Sequence, residues 1–455
     1  MSFLDAVASA LGDGVLVTDP DIVESYAHDR TTWVQPGAPL AVALPTTTAE
    51  VAGVVRAAAA HRVPIVPRGA GSSLCAGSQG IDGALTLSLE RMNDVVAIDP
   101  VDELVTVEPG VLNAEISEAT APHGLFYPPD PASKAFCSIG GNIATNAGGL
   151  CCVKYGVTRD YVRRLEVVLA DGTVLETGHD TVKGVAGFDL TGLLVGSEGT
   201  LGIVTKATLR LRPVPEGTAT MVSFFPTLDA AGRAVAAITA SGVTMSLLEI
   251  MDQATVCAVD DHTRMGLDRS AAALLLAQSD APEPLRRTDV ERAAGLCDRA
   301  GATYSTFTED PVEADALLQA RRLAGPTVEA LGEAIWDDVC VPRSRIPDLI
   351  GRVQDAAERH DVSIYTFGHA GDGNMHPTLL APRGDDDARH RALKAFDDIV
   401  DASLQLGGVI TGEHGVGRIK APFLEREVGA ANLALQRRIK ATFDPDGILN
   451  PGRWI

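Results

Sequence analysis

Three glycine-rich stretches, each abutting an apolar run, dominate the first half of the chain and limit what it can fold into. The first, Arg68-Gly69-Ala70-Gly71-Ser72-Ser73-Leu74-Cys75-Ala76-Gly77, follows Pro64-Ile65-Val66-Pro67. A strand that empties into glycine and serine offers backbone amides to oxygen-rich anions such as phosphates. No Gly-Lys-Ser/Thr follows, so this is not a Walker A loop, and Leu74 stands where a dinucleotide fingerprint needs its third glycine. The second stretch runs from Cys137 through Gly140-Gly141-Asn142 to Gly148-Gly149, after Tyr127-Pro128-Pro129-Asp130-Pro131. The third, Gly196-Ser197-Glu198-Gly199-Thr200-Leu201-Gly202-Ile203-Val204, enters an apolar strand at Lys206 to Leu211. Backbone this poor in side chains packs closely on a flat, hydrogen-bonding ligand. One such stretch reads equally well as a tight turn; three in one strand-rich region favour a single large ligand lying along several backbones.

Around them the periodicity is mixed. Val42 to Leu44 reads as a strand, Thr48 as a helix N-cap, and Val51, Val54, Val55 and Ala58 as one helical face. Short strands are expected at Ala84 to Leu89, Val95 to Ile98 and Leu104 to Val107, with Asp171-Gly172 turning a hairpin. After Arg212-Pro213-Val214-Pro215 the pattern changes. Strand-like Thr220 to Phe225, Met245 to Ile250, Ala273 to Ala277 and Thr303 to Phe307 alternate with helix-like Leu228 to Ala240 and Pro284 to Ala300. Further helices are expected from Pro311 to about Leu331 and from Ile346 to His360. This predicts a second domain, a sheet covered by helices, and 455 residues are indeed too many for one ordinary core.

The chemistry concentrates late in the chain. Gly368-His369-Ala370-Gly371-Asp372-Gly373-Asn374-Met375-His376 lies between a strand at Ser363 to Phe367 and strand-like Thr378-Leu379-Leu380. A hairpin centred on Asp372 and Gly373 would set His369 and His376 face to face as a cross-strand pair, half of a divalent-metal site. The alternative is a glycine-rich turn with two ordinary polar histidines. Thr411-Gly412-Glu413-His414-Gly415 adds a carboxylate beside a third histidine. Two imidazoles and one carboxylate suit zinc, manganese or iron with positions left for water or substrate. Adjacent residues on a strand point to opposite faces, so of Glu413 and His414 one can ligate while the other faces the reacting bond.

Composition excludes several classes. A formal charge of −22 argues against nucleic acid or anionic lipid as a partner. Seven cysteines without a Cys-x-x-Cys suggest neither a disulfide framework nor an iron–sulfur site, and Cys151 and Cys152 read as reduced structural thiols. With no signal peptide and no apolar run of about 18 residues, a cytoplasmic protein is expected, peripheral membrane contact remaining open.

Taken in order, PRGAGSSLCAG, PPDPASKAFCSIGGNIATNAGG, VKYG, GSEGTLGIVT, GHAGDGNMHP, GEHGVGR and FDPDGILNPG resemble the FAD-linked dehydrogenases of the glycolate oxidase flavoprotein, D-lactate dehydrogenase and D-2-hydroxyglutarate dehydrogenase group, over residues 67 to 452. The resemblance implies an α+β fold: a two-lobed FAD-binding domain of the vanillyl-alcohol oxidase type plus a ferredoxin-like cap. The corresponding ranges are 1–215 for the FAD-binding domain, 216–415 for the cap with its metal site, and 416–455 for a segment returning to the FAD domain. It implies non-covalent FAD, with the pyrophosphate on Arg68, Gly69, Ala70, Gly71, Ser72 and Ser73. Gly77, Pro129, Asp130, Ser133, Gly140, Gly141, Asn142, Thr145, Gly148, Gly149, Tyr155, Glu198, Gly199, Gly202, Ile203, Val204 and Asn450 are the further cofactor contacts it implies. His369, His376 and Glu413 match metal ligands, zinc first with manganese or iron as alternatives; His414 matches the base and Arg321 the arginine that grips the substrate carboxylate. Such a site oxidises a small D-2-hydroxy acid, D-lactate or glycolate-like, to the 2-oxo acid, with the Cα hydride passing to flavin N5.

Two positions depart from the pattern. Trp336 stands where, counted without gaps, the hydroxyglutarate enzymes carry a substrate-contacting lysine, which favours a single-carboxylate substrate. Ser72-Ser73 replaces a Thr-Gly pair. Arg322, adjacent to Arg321, leaves the choice of arginine open. The other readings are D-2-hydroxyglutarate oxidation, a metal-dependent hydrolase using the histidine site alone, and an idle flavoprotein subunit. Electrons must leave to oxygen, a quinone, an electron-transferring flavoprotein or a separate iron–sulfur subunit, and a homodimer is compatible with the resemblance.

Overall fold

Val51, Val54, Val55 and Ala58 do form one face of a helix, Thr48–His61, and all four are fully buried. Each valine so buried contributes about 1.5–3 kcal/mol, enough to hold a helix whose intrinsic propensity is modest. Thr47 rather than Thr48 caps it. Thr47 has the extended backbone a cap needs, and its hydroxyl accepts the Glu50 amide at 3.2 Å. The computed structural model describes residues 1–11 and 15–455. They fall into two compact units, one of residues 1–148, 157–214 and 413–455, the other of residues 149–156 and 215–412.

In the first unit the helix connects strands Ala41–Ala43 and Ile65–Arg68, which run parallel on either side of Leu85–Ser88; Leu16–Val17 joins antiparallel at the edge. Parallel neighbours need such a crossover. A second, antiparallel sheet holds Val95–Asp99, Leu104–Val107, Ile203–Arg210, Val162–Val168 and Val174–Gly178 in that order. The hairpin expected at Asp171-Gly172 is present, closed by a Leu169 amide to Thr173 carbonyl bond of 2.9 Å, with Gly172 at φ +80. Val168, Ala170 and Ile203 enter the core beneath Thr48–His61, as do Ile448 and Leu449 from the C-terminal segment. The second glycine-rich stretch is not a loop throughout: Ile139–Thr145 is helical, with buried Ile139 and Ile143 one turn apart and Asn146 left-handed at its end.

The second unit is built on an eight-stranded sheet. Its first four strands in the chain are Ala219–Phe225, Leu247–Asp252, Ala273–Ser279 and Tyr304–Thr308, and they lie in the order fourth, first, third, second with antiparallel neighbours. With helices Leu228–Ala240 and Leu285–Ala300 this is a ferredoxin-like arrangement. Ser363–His369, Asn374–Ala381 and Glu333–Trp336 extend it, and Val339–Cys340 pairs with Asn374–Ala381. The long helix expected from Pro311 breaks at Leu323 into Pro311–Arg322 and Ala324–Leu331, because Pro326 lacks an amide and its ring collides with the carbonyl four residues back. Gly149–Gly156 packs with this unit, where Lys154 Nζ and Tyr155 Oη both bond Asp280. No helix among the described residues is long and apolar enough to cross a membrane.

Candidate functional site

Strand register sets the site in the second unit. Ser363–His369 and Asn374–Ala381 form the expected hairpin, but not in the expected register. His369 lies opposite Asn374 and His376 opposite Phe367. The four-residue loop Ala370–Gly373, with the Asp372 and Gly373 amides both donating to the His369 carbonyl at 3.0 Å, moves the turn centre back by one residue. The histidines are therefore diagonal neighbours on one face, which long side chains still bridge. Their ring centroids are 5.1 Å apart at 84°, and each offers a ring nitrogen within 4.8 Å of the other's. Both rings are buried.

The neighbouring strands place a carboxylate behind each ring. Pairing of Met251 with Phe367 and Ile250 with Gly368 brings Glu249 beside His369, whose Nδ1 lies 2.7 Å from Glu249 Oε1. Pairing of Val339 with Met375 brings Asp338 beside His376, with Nδ1 to Oδ1 at 3.7 Å. The other Asp338 oxygen accepts from the Thr411 hydroxyl at 2.6 Å and the Gly412 amide at 3.0 Å. A Cβ on Gly412 would meet the Asn374 amide group at 2.5 Å, so any larger residue here would have to push Asn374 aside. Glu413 and His414 follow Gly412 directly, though the chain there passes into the first unit.

The two adjacent arginines differ sharply in environment, and Arg321 is the one turned towards the histidines. It is 4% exposed, its Nε donates to Glu249 Oε2 at 2.7 Å, and its guanidinium lies 4.8 Å from the Phe367 ring centre. Arg322 instead faces solvent and pairs with Asp315. Trp336 stands edge-on to Phe367 at 6.0 Å, and Phe367 lies 6.1 Å from His376, so an aromatic wall flanks the histidines. Glu249 and Asp338 were missed in the sequence. The only signal for Glu249 was a carboxylate inside the apolar run 247–251, while Asp338 lies in the link between Glu333–Trp336 and Val339–Cys340.

In the first unit the glycine stretches converge. A Cβ on Gly71 would strike the Arg68 guanidinium, one on Gly69 the Ser138 hydroxyl, and one on Gly140 would sit 2.7 Å from Pro109. Ser138 Oγ accepts the Ala70 amide at 3.2 Å, tying the first stretch to the second. Burial lowers the Arg68 pKa, and its buried Nη1 has no hydrogen-bond partner. An orphaned guanidinium nitrogen among bare backbone fits a phosphate-bearing cofactor. Not every implied contact points outward. Asn142 bonds Asn113 and Cys137, Ser73 Oγ accepts the Cys75 and Gly77 amides, and in the second unit the Tyr155 hydroxyl is spent on Asp280.

Glu198 links the third stretch to the segment after His414. It is buried at φ +51, and its two oxygens accept the Val416 amide at 2.7 Å and the Gly417 amide at 2.9 Å. Its carbonyl accepts Asn450 Nδ2 at 2.8 Å, which also reaches the Gly77 carbonyl at 3.1 Å. Burial raises the Glu198 pKa to about 7, against the pull of the two amides and Arg453.

A flavin-binding scaffold of the vanillyl-alcohol oxidase type is what this architecture defines. The chain superposes on p-cresol methylhydroxylase with a TM-score of 0.82 at 19% identity, covering 99% of this chain and 96% of that one. Residues 214–454 match the C-terminal domain of FAD linked oxidases and residues 38–178 an FAD binding domain. The chain is 43% identical to glycolate oxidase subunit GlcD of Bacillus subtilis over 94% of this chain and 92% of that protein, and 32% identical to a D-lactate dehydrogenase of Anaerostipes hadrus over 96% and 94%. It belongs to the FAD-linked oxidases.

Proposed function

We propose that this chain oxidises a small D-2-hydroxy acid, D-lactate or glycolate-like, to the 2-oxo acid, using non-covalent FAD and a divalent cation, zinc first among candidates, at His369, His376 and Glu413. The observation that carries this reading is one sheet face on which two buried imidazoles, each backed by a carboxylate, stand beside a buried arginine. Glycolate oxidase and D-lactate dehydrogenase among the relatives support the substrate class. In this reading 1–215 and 416–455 serve the flavin and 216–415 the substrate.

Bound FAD supplies a two-electron acceptor for the Cα hydride. The donor set of two imidazoles and one carboxylate suits a divalent cation, which, once held there, would acidify a nearby substrate hydroxyl. Glu413 is the third ligand in this reading; it follows Gly412, whose amide donates to Asp338 at 3.0 Å, by one peptide of about 3.8 Å. Arg321, with Nε engaged by Glu249, offers its two terminal nitrogens as a fork for the substrate carboxylate. His414 takes the hydroxyl proton, and Glu198 steadies its segment through the amides of Val416 and Gly417. Trp336 and Phe367 form an apolar wall beside the histidines, in keeping with a single-carboxylate substrate. Electrons then pass to a quinone, an electron-transferring flavoprotein or a separate iron–sulfur subunit.

Dye-linked turnover over a panel of D and L 2-hydroxy acids tests the reading. Preference for D-lactate or glycolate is expected, with air a much slower acceptor than the dye. Preference for D-2-hydroxyglutarate would overturn the substrate class, and no turnover with any acid would overturn the activity.

A further inference from the structure

Glu249 is 1% exposed, and neither of its oxygens is spare: Oε1 lies 2.7 Å from His369 Nδ1, and Oε2 accepts Arg321 Nε at 2.7 Å. It comes from Leu247–Asp252, while its partners come from Ser363–His369 and Pro311–Arg322, so one side chain joins three elements. Acceptance by a carboxylate puts the His369 proton on Nδ1 and makes Nε2, on the far side of the ring, the lone-pair nitrogen. The same carboxylate takes the Arg321 Nε–H and turns the guanidinium so that its Nη1/Nη2 end remains for another anion. The Phe367 ring below it, at 4.8 Å, limits rotation out of that plane.

We propose that Glu249 is a positioning residue that couples the two halves of the site, fixing His369 as an Nε2 metal ligand and Arg321 as a carboxylate fork. This rests on the metal and substrate roles proposed above. A glutamine at 249 keeps the shape but has one acceptor and one donor end. It can accept from Arg321 or from His369, not from both. If its NH2 faces the ring, Nδ1 becomes the acceptor and the proton moves to Nε2, closing that nitrogen to a cation. If it faces Arg321, two donors collide and the fork turns away.

The test compares FAD-loaded wild type with Glu249→Gln and Asp252→Asn. Asp252 is a second buried carboxylate on the same strand, but it caps the following helix through the Thr255 amide. Zinc affinity is read by competition with a chromophoric chelator, and oxalate affinity by calorimetry on metal-free protein. Glu249→Gln should weaken zinc about 10- to 100-fold, the scale of lost partners behind metal ligands, and oxalate about tenfold, while Asp252→Asn changes neither. A folded Glu249→Gln protein with wild-type affinity for both overturns the coupling, as does an equal loss in Asp252→Asn. Should Glu249→Gln not fold, Glu249→Asp decides: one methylene shorter, it keeps the charge but reaches one partner, so loss of either affinity supports the proposal and loss of neither overturns it. Wild type that takes up no zinc or manganese refutes the metal reading itself, and this inference with it.

Discussion

Replacing Arg321 by lysine separates charge from shape at the substrate anchor. Truncation to alanine would strand Glu249 as an uncompensated buried charge, at about 3–5 kcal/mol, and confuse folding with binding. Lysine keeps a cation opposite Glu249, which arginine meets through Nε at 2.7 Å. It cannot also supply a planar two-bond edge to a second carboxylate. Loss of one or two charge-assisted hydrogen bonds, about 1.5–3 kcal/mol each, corresponds to a KM increase of about 10- to 100-fold for the first bond alone. Flavin content should be unchanged. The stacking of the guanidinium on Phe367 adds to the loss. Arg322→Lys is the control, since that side chain is 44% exposed and its pair with Asp315 is worth under about 1 kcal/mol. The assay is the concentration dependence of anaerobic flavin reduction by D-lactate. Arg321→Lys with a wild-type half-saturation, or Arg322→Lys with the same defect, would refute the assignment.

The other predictions follow from neighbouring groups. The Glu198 carboxyl, raised to about 7 in the fold, binds a proton more tightly there than in the unfolded chain. Its contribution is full below about pH 4.5 and is lost as pH rises through about 7, some 3 kcal/mol in all at about 1.4 kcal/mol per unit. Thermal melts across that range should show the difference between wild type and Glu198→Gln shrinking by this amount, and a constant difference would contradict it. His376→Ala or a chelator should abolish turnover while the flavin spectrum persists; metal-stripped protein working at the normal rate would make the histidines structural. His414→Asn should retain flavin, metal and substrate affinity but reduce its flavin roughly 100-fold more slowly, and near wild-type reduction would place the base elsewhere. Gly140→Ala, pressing a Cβ to 2.7 Å from Pro109, should lower FAD retention after gel filtration, and full retention would show that this close approach does not matter.

Local periodicity made most strands legible to within a residue or two, because alternation and apolar runs are properties of the segment itself. Leu104–Val107 and Ile346–His360 lie where expected. What depended on distant residues was not legible. The histidine register followed from two amides converging on the His369 carbonyl, not from the position of Asp372-Gly373 in the sequence. Glu249 finds Arg321 72 residues away and His369 120 residues away, so its own segment names neither partner. Helix Ile139–Thr145 was hidden by two glycines, whose poor propensity is outweighed by burial of Ile139 and Ile143. Helix Asp386–Gln405 was masked differently: its inward face is partly alanine, Ala388, Ala392 and Ala395, which reads weakly as apolar.

The most direct measurement is anaerobic mixing of the FAD-loaded protein with D-lactate and, separately, L-lactate, following the visible flavin absorbance. Rapid bleaching by the D enantiomer is expected, slowed when its Cα hydrogen is deuterium because that bond breaks in the step observed, with little or none by the L enantiomer. A flavin that stays oxidised with both, or that bleaches equally with each, would contradict it.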